Sequence, residues 1–211
     1  MKLLSVNIAS PISITIRNKT GNTGIFKKPV SSPVELGTEG LSQDYIANKK
    51  HHGGPDQAVY IYGQTDYDWW ADSLGDRIQP GLFGENLTID GLTCTTFNIG
   101  DELHFSGGVV LQVTSPRIPC STLATRMEDP AFAKKFRQAE RPGMYCRVLQ
   151  TGILQAGETV TVTSYTGETI SLLEMYRDAF KPDTSPENLR RFLAAPIDIR
   201  SRLEIEEKIV K

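Results

Sequence analysis

With 211 residues, 39% of them hydrophobic and 23% charged, the chain has the make-up of an ordinary globular protein with enough apolar sequence for a sizeable core. A formal net charge of -2 gives no whole-chain attraction for nucleic acid or an anionic membrane, so neither is expected as a partner. Its three cysteines, Cys94, Cys120 and Cys146, are odd in number and form no C-x-x-C pair, which argues against a disulfide framework and for a reducing, cytoplasmic setting.

The opening MKLLSVNIAS lacks the sustained apolar run of a signal peptide, and no later run is long enough to span a membrane. In "ISITIR", Ile12, Ile14 and Ile16 alternate with polar residues, as on a half-buried strand. Next comes "KKHHGGPDQAVYIY", residues 49–62. Adjacent histidines are poor chelators from a regular element, because neighbouring side chains diverge. The Gly53-Gly54-Pro55-Asp56 run must turn, and its glycines let backbone N–H groups approach an anion. Lys49, Lys50, His51 and His52 add positive charge, which suits a phosphate or equally a solvated entry to the strand "AVYIY".

A helix is expected from Thr65, with Asp68 as a capping partner and Tyr67, Trp70 and Leu74 buried. In "PGLFGENLTI" two glycines flank Phe83, and Asn86 leads into a strand. Asn86 can serve its own backbone turn, or its amide can meet a flat polar heterocycle. Further strands are predicted at "LTIDGL", "DELHFS", "VVLQVT" and "TVTVTS", with Gly107-Gly108 turning a hairpin. Asp129 and Pro130 open a helix that places Phe132 and Phe136 on one face.

Short strands with turns between them predict a mainly β fold, a closed or partly closed barrel with a few inserted helices. Beyond residue 165 the period changes. Ser171 with Glu174, Ser185-Pro186 and Asp198 each start a short helix, predicting a three-helix unit over 166–211 after a barrel over 1–165.

The stretch "SPRIPCSTL" holds Cys120 behind two prolines and Arg117. The prolines stiffen the backbone, and a neighbouring guanidinium favours thiolate, the form that attacks or binds a soft metal. Cys94 and Cys146 lie in strand-like contexts and read as buried hydrophobes. A Cys–His hydrolase using His51, His52 or His104 lacks any recognisable orienting third group.

Taken together, "KHHGGPDQAVY", "PGLFGENLTIDGL", "IGDELHF", "SPRIPCSTL", "GMYCRV" and "TGILQAGETVTV" resemble the MOSC domain family, and the helical tail resembles its YiiM-type branch. The resemblance implies a β-barrel that binds molybdenum cofactor (molybdopterin with Mo), with the Cys120 thiolate as metal ligand and reactive centre. It implies that Lys49, His51, His52, Gly53, Phe83, Gly84, Asn86, Arg117 and Ser121 surround the pterin and its phosphate. It implies reduction of small N-hydroxylated bases such as hydroxylaminopurine, a detoxification. No flavin, haem or iron–sulfur motif is visible in this chain, so a separate, flavin-containing electron-donor reductase is implied as partner. A homodimer is compatible with this reading. Ser115 stands where the family often has glutamine, and Met144 where it often has tryptophan; both bear on pocket shape. The alternatives are a sulfur carrier or transferase with a persulfide on Cys120, and a cofactor-carrying module without catalysis.

Overall fold

The computed structural model describes residues 1–16, 18–47 and 53–210. The first strands are β1 (Lys2–Ile8), β2 (Ile12–Ile16), β3 (Lys19–Thr23), β4 (Lys28–Val30), β5 (Val34–Gly37) and β6 (Gly40–Leu41). There follow β7 (Val59–Gly63), helix α1 (Gln64–Leu74), β8 (Leu87–Asp90), β9 (Glu102–Phe105) and β10 (Val110–Pro116). Helices α2 (Ser121–Arg126) and α3 (Phe132–Ala139) then precede β11 (Met144–Gln150), β12 (Gly152–Leu154) and β13 (Val160–Thr163). The chain closes with α4 (Leu172–Asp178), α5 (Pro186–Ala194) and α6 (Ile199–Val210).

Eight strands form one mixed sheet in the order β13-β9-β10-β11-β7-β8-β1-β4. The β7–β8 pair is parallel, and α1 makes the crossover that a parallel pair requires. Near the start of β1 the sheet's margins touch: Lys2 bridges Thr159, and Leu3 N–H donates to the Glu158 carbonyl at 2.8 Å. Gly157 N–H also donates to the Leu3 carbonyl at 2.7 Å and Val160 N–H to the Met1 carbonyl at 2.9 Å, but these bonds do not extend into a strand ladder, so the barrel expectation is met only as a large mixed sheet with helices. β2 and β3 pair only with each other, as a separate hairpin.

The period of two sorts side chains onto two different layers. On β7, Val59 and Ile61 enter an aliphatic core with Leu87 and Ile89 of β8 and Met144 and Cys146 of β11. Their alternates Tyr60 and Tyr62 face an aromatic layer with Tyr67, Trp70, Phe83, Phe132 and Phe136. The site lies on this aromatic side.

The tail forms its three helices with caps where expected. Ser171 Oγ accepts from Glu174 N–H at 3.0 Å, Ser185 Oγ from Asn188 N–H at 3.4 Å, and Asp198 from the N–H groups of Arg200 and Ser201. Leu172, Leu189, Phe192 and Ile197 join the aliphatic core of the sheet, so the helices are stabilised by burial and not by length. Among the described residues, no helix is long and apolar enough to cross a membrane.

Two helix starts differ from expectation. α1 is entered through Gly63 with no side-chain cap, and Asp68 accepts instead from Gln64 Nε2 at 2.8 Å. Tyr67 and Trp70 are buried as predicted, and Leu74 partly so. Asp129 caps a tight turn, accepting from Ala131 N–H at 2.8 Å, and α3 starts two residues beyond Pro130. α2, directly after Cys120, was not expected at all. "STLATR" has one apolar anchor, Leu123, too little for a readable period.

One buried carboxylate organises the loop that leads into β8. Glu85 accepts from Gly81 N–H (2.6 Å), Phe83 N–H (3.2 Å), Tyr67 Oη (2.7 Å) and Thr88 Oγ1 (3.0 Å). Gly81 and Gly84 both have φ above +80°, and a Cβ on Gly84 would sit 2.9 Å from Ile25. Replacing Glu85 by alanine strands the Gly81 N–H and two hydroxyl donors and leaves the Phe83 N–H only its longer bond to Tyr67 Oη (3.3 Å), and is expected to lower stability by about 2–4 kcal/mol in denaturant unfolding. A loss under half a kcal/mol would contradict this account of the loop.

Candidate functional site

A cavity of about 550 Å³ opens on the aromatic side of the sheet. The β2–β3 hairpin covers it with Ile14 and Ile16, while Tyr60, Asn86 and Arg117 lie along its sheet side. Cys120 contributes from the end of the segment that follows β10.

Cys120 differs from the other two thiols. Cys94 and Cys146 are fully buried, and burial pushes both thiols well up from their ordinary range, so they stay neutral. Cys120 is half-buried and lines the cavity. It sits at the N-terminal boundary of α2, with extended backbone delivered by Pro119.

Beside it, Arg117 is 4% exposed. Its Nη1 donates to the Phe83 carbonyl at 2.8 Å, and its guanidinium lies over the Tyr60 ring at 5.2 Å. Burial opposes its charge, but Tyr60, Tyr145 and Cys120 outweigh that, and its pKa lies above the ordinary arginine value. The cation is therefore permanent and tied electrostatically to Cys120. Burial also raises the pKa values of Tyr60 and Tyr145, which keeps both phenols protonated at neutral pH.

A second polar cluster occupies the wall farther along. Lys27 and Asp44 form a buried ion pair, and Asp44 also accepts from Asn86 Nδ2 and Ala9 N–H, each at 2.9 Å. Burial lowers the Lys27 pKa, with Asp44 opposing the shift. Asn86 Oδ1 in turn accepts from Tyr60 N–H at 3.1 Å. Asn86 thus does not serve its own turn. It joins β7 to the Lys27–Asp44 pair.

Gly53, Gly84, Asn86, Arg117 and Cys120 therefore come together at one cavity from three separate stretches of sequence. Phe83 lies behind the wall in the aromatic layer and reaches the site through the carbonyl that holds Arg117. Ser121 is exposed at the start of α2, outside the lining. Lys49, His51 and His52 lie outside the described residues. The turn that follows them is as expected, with Gly53 and Gly54 at φ +73° and +84°.

Sequence reasoning missed Lys27, Asp44, Tyr60 and Tyr145. "GIFKKPV" shows two lysines with nothing to say which is buried, and Asp44 sits in a loop of mixed composition. The tyrosines were placed in strands, but alternation does not say which side of a two-faced sheet holds a cavity.

The family model of the MOSC domain matches residues 48–161, which contain Gly53, Gly84, Asn86, Arg117 and Cys120. The chain is 36% identical over 162 residues to the uncharacterized protein YflK of Bacillus subtilis, a match covering 77% of this chain and 73% of that one. A stretch of 143 residues is 32% identical to a protein of Gibberella moniliformis named Reductase, spanning only 25% of that protein's length. The crystal structure of YiiM from Geobacillus stearothermophilus, 26% identical, superposes with a TM-score of 0.79 over 99% of this chain and 98% of that one. With its central segment matched by the family model and a YiiM-like fold over nearly all its length, the chain belongs to the MOSC domain family.

Proposed function

We propose that this protein is an oxidoreductase that holds molybdenum cofactor in the cavity and reduces small N-hydroxylated bases, hydroxylaminopurine among them. The observation that carries the reading is the contrast among the cysteines: Cys120 alone of the three lines the cavity, beside a buried permanent cation. One relative, similar over part of its length, is named Reductase, which supports the same reading.

The residues present fit such a group. Cys120 offers the soft donor that molybdenum prefers. Arg117 is a buried cation on the wall and suits an anionic cofactor better than an empty apolar pocket, while Lys27, already paired with Asp44, adds polarity to the wall and not net charge. Lys49, His51 and His52 join this reading through their sequence motif. When bound, the cofactor supplies the two-electron chemistry that cleaves an N–O bond.

This chain's own residues bind, orient and hold protons. Arg117 favours the thiolate of Cys120, and the Phe83 carbonyl and the Tyr60 ring hold the guanidinium in place. Tyr145, kept protonated, can donate a hydrogen bond to a substrate heteroatom. Ile14 and Ile16 cover the cavity and exclude water from one of its faces. The net conversion takes an N-hydroxylated base to the amine and water, consuming two electrons and two protons. The electrons come from a separate flavin-containing reductase in this reading.

Protein purified from a host that makes the cofactor is expected to carry molybdenum and pterin near one to one, and Cys120→Ala to lose the metal. Neither metal nor pterin in the wild type, even after cofactor is added back, would overturn the proposal. A cyanide-labile persulfide on Cys120 would then favour sulfur transfer.

Thiol chemistry gives an independent check. Because Cys94 and Cys146 are buried, iodoacetamide reads Cys120 in the folded protein. Arg117→Leu is expected to slow its alkylation at neutral pH about tenfold, and Arg117→Lys by less, since the charge remains. Equal rates in all three proteins would remove Arg117 from the account.

A further inference from the structure

Arg200 is the second residue of α6, in the first turn of the helix, where a cation meets the positive end of the helix dipole. Something outside the helix must therefore favour it there. Its Nη1 donates to Gln57 Oε1 at 2.6 Å and its Nη2 to the Gly53 carbonyl at 2.9 Å. Gly53 and Gln57 both line the cavity, and both belong to the turn that leads into β7.

The same junction is fastened twice more. Asp56, between those two contacts, accepts from Ile199 N–H at 2.8 Å, and its other oxygen lies 3.0 Å from Arg147 Nε of β11. Asp198 N–H donates to the Thr114 carbonyl of β10 at 3.2 Å. Arg200 also acts electrostatically on Tyr145 in the cavity wall, lowering its pKa against the larger effect of burial.

We infer that Arg200 is a positioning residue for the cavity, and that the C-terminal helical segment completes the site by holding the Gly53–Gln57 turn at its rim. A guanidinium presents two parallel donors to an amide oxygen and a backbone carbonyl at once, and a lysine ammonium lacks that fork. By reciprocity, whatever occupies the cavity and depends on this turn also strengthens the seating of α6. The tail and the site are thus one thermodynamic unit. The part of this inference that concerns cofactor rests on the function proposed above; the part that concerns the turn does not.

The test uses the full chain, with Arg202→Ala as control. Arg202 Nη2 donates to the carbonyls of Leu193 and Ala195 within the tail and not to the rim. Hydrogen exchange is followed in a peptide spanning residues 54–62. Arg200→Ala is expected to speed exchange there by about tenfold while peptides of β9 and β10 are unchanged, with Arg200→Lys intermediate and Arg202→Ala like wild type. Exchange in 54–62 that matches wild type in Arg200→Ala would overturn the inference, as would an equal increase in Arg202→Ala.

The second readout is molybdenum and pterin retained after dialysis. Faster loss from Arg200→Ala than from Arg202→Ala supports the coupling of tail to site. Equal retention, despite a loosened turn, would overturn that coupling. A wild type that carries no cofactor at all would instead overturn the proposed function, and the exchange result would still decide the role of Arg200 at the turn.

Discussion

Glu85 is a carboxylate with no exposure to solvent, and its four donors come from three places: the loop before it, the strand after it, and α1. Satisfying the group fixes the loop in one conformation, because any other leaves a buried acceptor without partners. That conformation turns the Phe83 carbonyl toward Arg117 and sets the Phe83 ring against Tyr62 and Tyr67 at centroid distances of 5.0 and 5.1 Å. Arg117 in turn stands beside the cavity thiol. The placement of Arg117 beside Cys120 therefore depends on a carboxylate that does not itself line the cavity.

The sheet keeps two kinds of core apart. On one face, branched aliphatic side chains pack with the helical tail; on the other, rings pack around α1, α2 and α3. Tight aliphatic packing leaves little room for a cavity, whereas rings with polar tips supply flat walls and hydrogen-bonding groups at once. Tyr60 shows the combination: its ring lies under Arg117, its hydroxyl donates to the Pro142 carbonyl at 2.8 Å, and its N–H is held by Asn86. The cavity sits where the aromatic layer meets the separate β2–β3 hairpin, so one wall belongs to the eight-stranded sheet and the other is a two-stranded cover.

Some features were legible because their cause is local. The tail caps at Ser171, Ser185 and Asp198 need only a side-chain oxygen near an N–H two or three residues on, and all three form. The Gly107-Gly108 hairpin joins β9 and β10 for the same reason, with Gly108 at φ +95°. Helix starts with weaker local signals did not hold: Asp68 found Gln64, and Asp129 closed a turn before α3 began. Lys27, Asp44 and Glu85 were not legible, since pairing across 17 residues and donors from α1 have no trace in any single motif.

By itself, the sequence determined the alternation that makes strands, the glycines that make Gly53-Gly54 and the Gly81–Gly84 loop turn, and the motifs that mark the MOSC family. These follow from neighbours along the chain, through backbone freedom and side-chain period. Tertiary structure alone decided which cysteine faces a cavity, which lysine is buried against Asp44, and that Arg200, 147 positions beyond Gly53, holds its carbonyl. Exposure, dielectric and partner distance are properties of a folded neighbourhood. They are set only when distant segments exclude water from the same space.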